Sequence, residues 1–273
     1  MAHSIDPATG AVRGFVPARN DEERYLMRHI EDLADAAFSR GIARCSAFLS
    51  DREQDLARAA LGRVGVRDGW RFDGGWPEAE RRVLCLEPEH SYGECPVRCV
   101  QLQCRALPGA GLPAHKDYLG SLMGLALKRE ALGDILLPAD APGTAYVFAL
   151  EPAAKLICRE LCQAGRTEVS TRLLEPEEIP AFPAPERQLL TATVSSLRLD
   201  SVLAVGFSLS RGKAAEAVTS GRVQVNWTDC QKPDRPVAQG DTLTLRGLGK
   251  CVLEEVGHQT KKGRVFVTLK RYL

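Results

Sequence analysis

A chain of 273 residues, 44% hydrophobic and 26% charged, can bury a sizeable core, has room for two modest domains, and lies far from disordered compositions. No apolar run approaches the roughly 20 residues a membrane helix needs, and the opening MAHSIDPATG lacks a basic stretch leading into an apolar one, so the expected compartment is the cytoplasm. The net charge of +1 hides an asymmetry: residues 187–273 hold 14 Lys and Arg against 7 Asp and Glu, a net of +7, leaving −6 on the rest. A basic end on an acidic body is the footprint of a polyanion partner.

In chain order, residues 20–63 read as helix: Leu26, Ile30, Leu33, Ala37 and Phe38 recur at helical spacing behind Asn20 or Asp21 as a cap. A further helix is expected over Asp51–Leu61, capped by Ser50. From Val66 the texture changes to short β-rich runs at Arg82–Leu86, Val97–Arg105, Asp134–Leu137 and Ala145–Leu150, with helices at Lys116–Leu127 and Pro152–Ala164 between them. That alternation predicts an α/β layer with helices on one face of a sheet. Leu119, Leu122, Met123 and Leu127 form the expected buried stripe, and His115 with Asp117 organises a helix start. The proline-rich run EPEEIPAFPAPER (Glu175–Arg187) reads as a semi-rigid linker, placed where the charge changes sign.

The nine cysteines include no C-x-x-C pair, so core packing is the expectation for them, and Cys158 with Cys162 is assigned to a helix. Beyond the linker, Ser195 and Ser196 are expected to cap a helix ending at Gly206, and Ser210 a second helix stopped by Gly221. Arg222–Trp227, Thr242–Arg246 and Arg264–Lys270 alternate as strands, the last after a turn at Lys262–Gly263. Arg198, Arg211 and Lys213 fall at helix starts, where cations oppose the helix dipole by about 0.3–1 kcal/mol each at exposed sites. They make sense if they face phosphates, and Arg222, Arg246 and Lys250 at strand ends extend the candidate patch.

The run RLDSVLAVGFSLSRGKAAEAVTSGRVQVNW (Arg198–Trp227), with Gly240–Asp241 and RGLGK (Arg246–Lys250), resembles the RNA-binding domain shared by small-subunit ribosomal protein S-four, tyrosyl-tRNA synthetases and many pseudouridine synthases. The resemblance implies that a two-helix element grips duplex RNA, with contacts from Arg198, Ser210, Arg211, Lys213, Arg222 and Asn226. With DGGWPEAERRVLCLEP (Asp73–Pro88) and HKDYLGSLMGLALKREALGDILL (His115–Leu137), the chain from about Phe48 onward is similar to the YlmH family of bacterial RNA-binding proteins.

That resemblance implies an α+β chain: a helical N-terminal region (1–64), a central α/β plait of the RRM kind (65–178), a linker (179–187) and the terminal module (188–273). It also implies association with rRNA, and with tRNA, on the ribosomal large subunit during quality control of stalled chains. A second candidate RNA surface comprises Arg81, Arg82, His115, Lys116, Lys128 and Arg129. No phosphate-binding, dinucleotide, nucleophile-elbow or metalloprotease motif occurs, so no cofactor, metal, catalytic residue or small-molecule substrate is expected. The rival is an RNA-modifying enzyme such as a pseudouridine synthase, whose catalytic Asp sits in an R-L-D context like Arg198–Leu199–Asp200.

Overall fold

The computed structural model describes residues 18, 20–91, 93–105, 111–184, 187–260 and 263–272, so residues 185–186 of the expected linker and Lys262 of the expected turn lie outside it. The described residues form two compact units, one up to Pro183 and one from Ala184. The chain is α+β, as its sequence implies.

The first unit opens with α1 (Asp21–Arg40), where Asn20 accepts a hydrogen bond from the Glu23 N–H at 2.7 Å and three acidic residues occupy the first turn. Met27, Ile30, Ala34 and Ala37 bury one stripe against α2 (Asp51–Arg63), which starts at a Ser50–Glu53 capping box. A half-hidden ion pair, Arg52 to Glu23 at 2.9 Å, ties the two helix starts together. Between them runs β1 (Arg44–Leu49), a strand inside the stretch read as helix. Its Phe48 and Leu49 are buried on opposite faces, a two-residue period that the flanking helical pattern masks in the sequence. β1 pairs with β3 (Arg82–Leu86), which pairs with β2 (Trp70–Asp73), giving a three-stranded antiparallel sheet.

The rest of this unit runs β4 (Val97–Cys104), α3 (His115–Gly124), β5 (Leu132–Leu136), β6 (Thr144–Leu150), α4 (Glu151–Glu160), β7 (Gln163–Ala164) and β8 (Thr167–Leu174). The sheet order β5–β6–β4–β8–β7, all antiparallel, is the split βαβ plait with one short strand added. Tyr118, Leu122, Ala153, Ala154 and Ile157 from the helices cover one face. Met123 and Cys162 depart from the expected pattern: α3 stops at Gly124 with Met123 40% exposed, and Cys162 is exposed beyond the end of α4. Cys85, Cys99, Cys104, Cys230 and Cys251 are buried, as core packing predicts.

The other face of the plait is covered too. Tyr146, Phe148, Cys99 and Leu174 pack against Phe48, Val83 and Cys85 of the three-stranded sheet. Gly75 makes the close approach possible: a Cβ there would meet Phe148 at 2.5 Å, and its φ of 85° suits glycine. Ile179 and Phe182, expected in a linker, join this layer instead; Phe182 stacks edge-on against Trp76, Tyr146 and Phe148. The aromatic face on which plait domains of the RRM kind stack RNA bases is therefore closed here.

The second unit comprises β9 (Arg187–Val194), α5 (Leu199–Gly206), α6 (Arg211–Thr219), β10 (Val223–Val225), β11 (Thr228–Asp229), β12 (Thr242–Leu245), β13 (Gly249–Gln259) and β14 (Val265–Tyr272). The six strands form one antiparallel sheet in the order β11–β10–β12–β13–β14–β9. Leu199, Val202, Leu203, Ala214, Ala217 and Val218 of the helices bury one face of it. β10 ends at Val225, two residues short of the expected strand: Asn226 and Trp227 take φ of 50° and 61° and form the tight turn into β11.

Candidate nucleic-acid interface

The start of α5 is built around a buried carboxylate. Its N-cap is Arg198, not the expected Ser195 or Ser196, and it contributes no side-chain cap bond. The missing cap is replaced by the segment crossing over it: the Leu199 and Asp200 N–H groups donate to the carbonyls of Arg235 and Pro233, each at 2.9 Å. Asp200 in the first turn is 4% exposed. Its Oδ1 accepts from Arg198 Nε at 3.2 Å and its Oδ2 from Arg198 Nη2 at 3.1 Å, a bidentate pair. The same Oδ2 accepts from Arg211 Nε at 3.2 Å, and the Ser201 hydroxyl lies 3.2 Å from Oδ1. Burial pushes the Asp200 carboxyl up, but the Arg198 and Arg211 hydrogen bonds outweigh it and hold the group below its ordinary value.

The consequence is geometric. Arg198 and Arg211 come from different elements, are 39% and 54% exposed, and are held on one anion so that their remaining N–H groups keep a fixed separation. Asp200 also removes part of the expected conflict between Arg211 and the dipole of α6. Ser210 caps α6, its Oγ accepting from the Lys213 N–H at 3.3 Å, and the Lys213 side chain is exposed in the first turn. Arg198, Arg211 and Lys213 thus gather at the starts of the two helices.

The other cations singled out in the sequence lie elsewhere. α6 is nine residues, about 13 Å long, and Arg222 follows its far end. Arg222 is next to Arg246 across β10 and β12, where the Arg246 N–H donates to the Arg222 carbonyl at 3.0 Å. Arg222 donates to the Ser220 hydroxyl, and Arg246 lies 3.6 Å from Asp229. Lys250 lies over the Tyr272 ring, its Nζ 4.7 Å from the centroid.

Asn226 has a structural position: its amide donates to Asp241 at 2.7 Å and accepts from the Thr242 N–H at 2.9 Å, while Asp241 also accepts from the Ala238 N–H. The separate V-N and G-D motifs are one knot that locks the turn after β10.

The second candidate surface is divided. Arg81 donates to the carbonyls of Leu132 at 2.9 Å and Phe48 at 3.1 Å, Arg82 to that of Ala79 at 2.6 Å, and Arg129 to that of Leu132 at 2.8 Å. The Arg81 guanidinium staples the plait to the three-stranded sheet, and Asp134 does the same by accepting from the Trp76 ring N–H and the Glu80 and Arg81 amides, whereas Arg82 and Arg129 close on carbonyls within their own loops. Burial lowers the Arg81 pKa from its ordinary value. His115, Lys116 and Lys128 are exposed near the two ends of α3, Lys128 lying 3.7 Å from Glu130. Asp117 organises the helix start, accepting from the Ala114 N–H at 2.8 Å.

A two-helix element on an antiparallel sheet, with ordered arginines at the helix starts, defines an RNA-binding module, and the S4 domain family matches residues 197–243. The ribosome-associated protein quality control protein P2 of Bacillus subtilis (strain 168) is 35% identical over 225 residues, covering 82% of this chain and 85% of that protein. Among solved structures, the cell division protein ylmH from Streptococcus pneumoniae is similar with a TM-score of 0.46 and 17% identity, over 61% of this chain and 100% of its own. The chain belongs to the YlmH family of S4-domain RNA-binding proteins.

Proposed function

We propose that this protein is a non-enzymatic factor that binds rRNA on the ribosome, at the large subunit carrying peptidyl-tRNA, in quality control of stalled chains. The name of its Bacillus subtilis relative, a ribosome-associated quality control protein, supports the setting. The observation that carries the RNA contact is the Arg198–Asp200–Arg211 clamp beside Lys213. Two guanidiniums held at fixed spacing meet adjacent phosphates of a duplex without having to be ordered on binding. Ser210 supports the contact by fixing the first turn of α6 through its cap on the Lys213 N–H, and Asn226 supports it indirectly through the turn it locks.

The pseudouridine synthase reading requires Asp200 to reach a uridine, whereas its carboxylate is buried under both arginines. The assay is co-sedimentation of the full chain with ribosomal subunits, with RNA crosslinking to locate the contact. Arg211→Ala with Lys213→Ala should weaken both by an order of magnitude or more, from loss of about two phosphate contacts. Undiminished crosslinking by this variant refutes the clamp as the contact, and loss of a specific pseudouridine in cells making Asp200→Asn restores the enzyme reading.

A further inference from the structure

Three thiols meet in the first unit where the three-stranded sheet lies over the plait, and the RNA contact makes no use of them. The register of β1 on β3 sets Cys45 directly opposite Cys85, so both side chains leave the same face of the sheet. That face packs on the plait, and Cys95, just ahead of β4, reaches the same layer. The Cys85 thiol is in contact with those of both Cys45 and Cys95 and stands between them. The backbone around Cys95 is fixed: its carbonyl accepts from Arg98 Nη1 at 2.7 Å, and that of Pro96 from the Glu151 N–H at 2.8 Å.

Packing alone does not account for the trio, because its surroundings are polar. Arg71 lies opposite Cys85 on β2 and pairs with Asp73 and, at 3.1 Å, with Glu87. Hollows of about 350 and 520 Å³ open beside Arg71 and Asp73, and beside Gly93 and Glu94. Cys45 and Cys95 are partly exposed, whereas Cys85 is buried. Hydrogen bonding from the Cys85 thiol holds those of Cys45 and Cys95 below their ordinary value, and the same contacts, with burial, push Cys85 up. Cys99 and Cys251 show the usual fate of a packing thiol, pushed up to about 12 by burial. A buried thiol flanked by two accessible ones is suited to oxidation and exchange, since the thiolate is the attacking species in both. Directly opposite residues of antiparallel strands have Cα atoms about 4.5–5.5 Å apart, inside the roughly 4.4–6.8 Å that a disulfide spans.

We propose that Cys45, Cys85 and Cys95 form a thiol oxidation site whose substrate is a small peroxide. The Cys45 sulfur attacks one peroxide oxygen, the O–O bond breaks, and the departing oxygen takes the thiol proton, giving a sulfenic acid and one water. The Cys85 sulfur then attacks that of Cys45, and the sulfenic oxygen leaves with the Cys85 proton as a second water, closing the Cys45–Cys85 disulfide. Cys95, on the far side of Cys85, attacks the Cys85 sulfur, forms Cys85–Cys95 and releases Cys45 as the thiol. The first disulfide ties β1 to β3, and the second ties β3 to the chain entering β4, joining the two layers. Two equivalents of a small thiol return the site to its reduced form and leave as their own disulfide.

The test uses the full chain, reduced and then exposed to hydrogen peroxide without denaturant. Free thiols are alkylated and linked peptides identified by mass spectrometry. The parent should yield Cys45–Cys85 and Cys85–Cys95 linkages, both removed by dithiothreitol, while the exposed Cys162 stays open to alkylation. Cys95→Ser should give Cys45–Cys85 alone, at the rate of the parent. Cys45→Ser with Cys95→Ser should leave Cys85 reduced under the same treatment. In Cys85→Ala, a cyclic diketone should trap Cys45 as its sulfenic acid. The serine variants change partly exposed positions, and a melt beside the parent checks that they fold. A trio that stays reduced while Cys162 is oxidised overturns the site, and so does oxidation of Cys85 in the double serine variant. A parent that never yields Cys85–Cys95 overturns the exchange step and removes Cys95 from the site.

Discussion

Replacing Asp200 by Asn keeps the shape of the side chain and removes the charge that Arg198 and Arg211 share. Three charge-assisted hydrogen bonds at 3.1–3.2 Å converge on this carboxylate. Hydrogen bonds to charged groups are worth about 1.5–3 kcal/mol net, and the exposure of Arg198 and Arg211, 39% and 54%, discounts the total through solvent screening. A loss of about 2 kcal/mol is expected, which lowers the Tm of a unit of fewer than 100 residues by about 10 °C. The dependence on pH gives a second handle. Asp200 has a folded pKa below its ordinary 3.8, so its contribution is complete above that value and is lost as pH falls through the lower folded one. Thermal melts of the unit from Ala184 onward should show a constant gap between parent and variant from pH 7 down to pH 5, closing as pH drops below 3.8. A variant that melts with the parent at pH 7, or a gap that persists in acid, refutes the shared-anion account. RNA affinity should fall with the gap, since both guanidiniums lose the anchor that sets their spacing.

Arg81→Gln should destabilise the first unit by about 1–3 kcal/mol, because the Phe48 carbonyl loses its guanidinium donor and the Leu132 carbonyl keeps only that of Arg129, while affinity for an RNA hairpin stays unchanged; a weakened hairpin complex would return Arg81 to the RNA surface. Trp227→Gly should raise the melting temperature of the second unit by several degrees, since a bulky residue at φ 61° carries about 1 kcal/mol of strain or more; a fall would mean that packing of the half-buried ring outweighs the strain. Lys213→Gln alone should leave stability level or slightly higher, as an exposed cation leaves the dipole-positive end of α6, whereas Arg211→Gln should lose stability through Asp200; equal melts for the two would contradict this division.

Much of the architecture could be read from local signals. Asn20, Ser50 and Ser210 cap helices where their side chains and spacing suggest, and β3 and β6 fall on the apolar runs that marked them. What escaped was non-local or irregular. β13 carries two register shifts, at Leu253/Glu255 and Val256/Gln259, so its alternation breaks and Glu254, Glu255, Gly257 and His258 do not look like a strand. β9 follows a proline-rich run, and Leu189 on it is 61% exposed, so it lacks the one-sided apolar pattern of a half-buried strand. Arg81, Arg82 and Arg129 looked like a basic surface because donation to backbone carbonyls leaves no mark in a sequence. Nothing local told Arg81 from Arg211; only the fold reveals that one is consumed by carbonyls and the other held out on a carboxylate.

That contrast bears on how this chain divides its cations between folding and binding. In the first unit the arginines of the Arg81 group end on carbonyls, the aromatic face of the plait is filled by Phe48 and Phe182, and ion pairs such as Arg52–Glu23 close within the unit. In the second, Asp200 is a buried anion serving two half-exposed guanidiniums. A buried carboxylate between two arginines is a poor device for stability alone, since apolar side chains of the same volume would often do as well. It is a good device for holding two positive groups at a set distance on a surface. Under the proposed function that cost is pre-organisation: the two guanidiniums are already set at their spacing when phosphates arrive, and the expected binding is steeply dependent on salt.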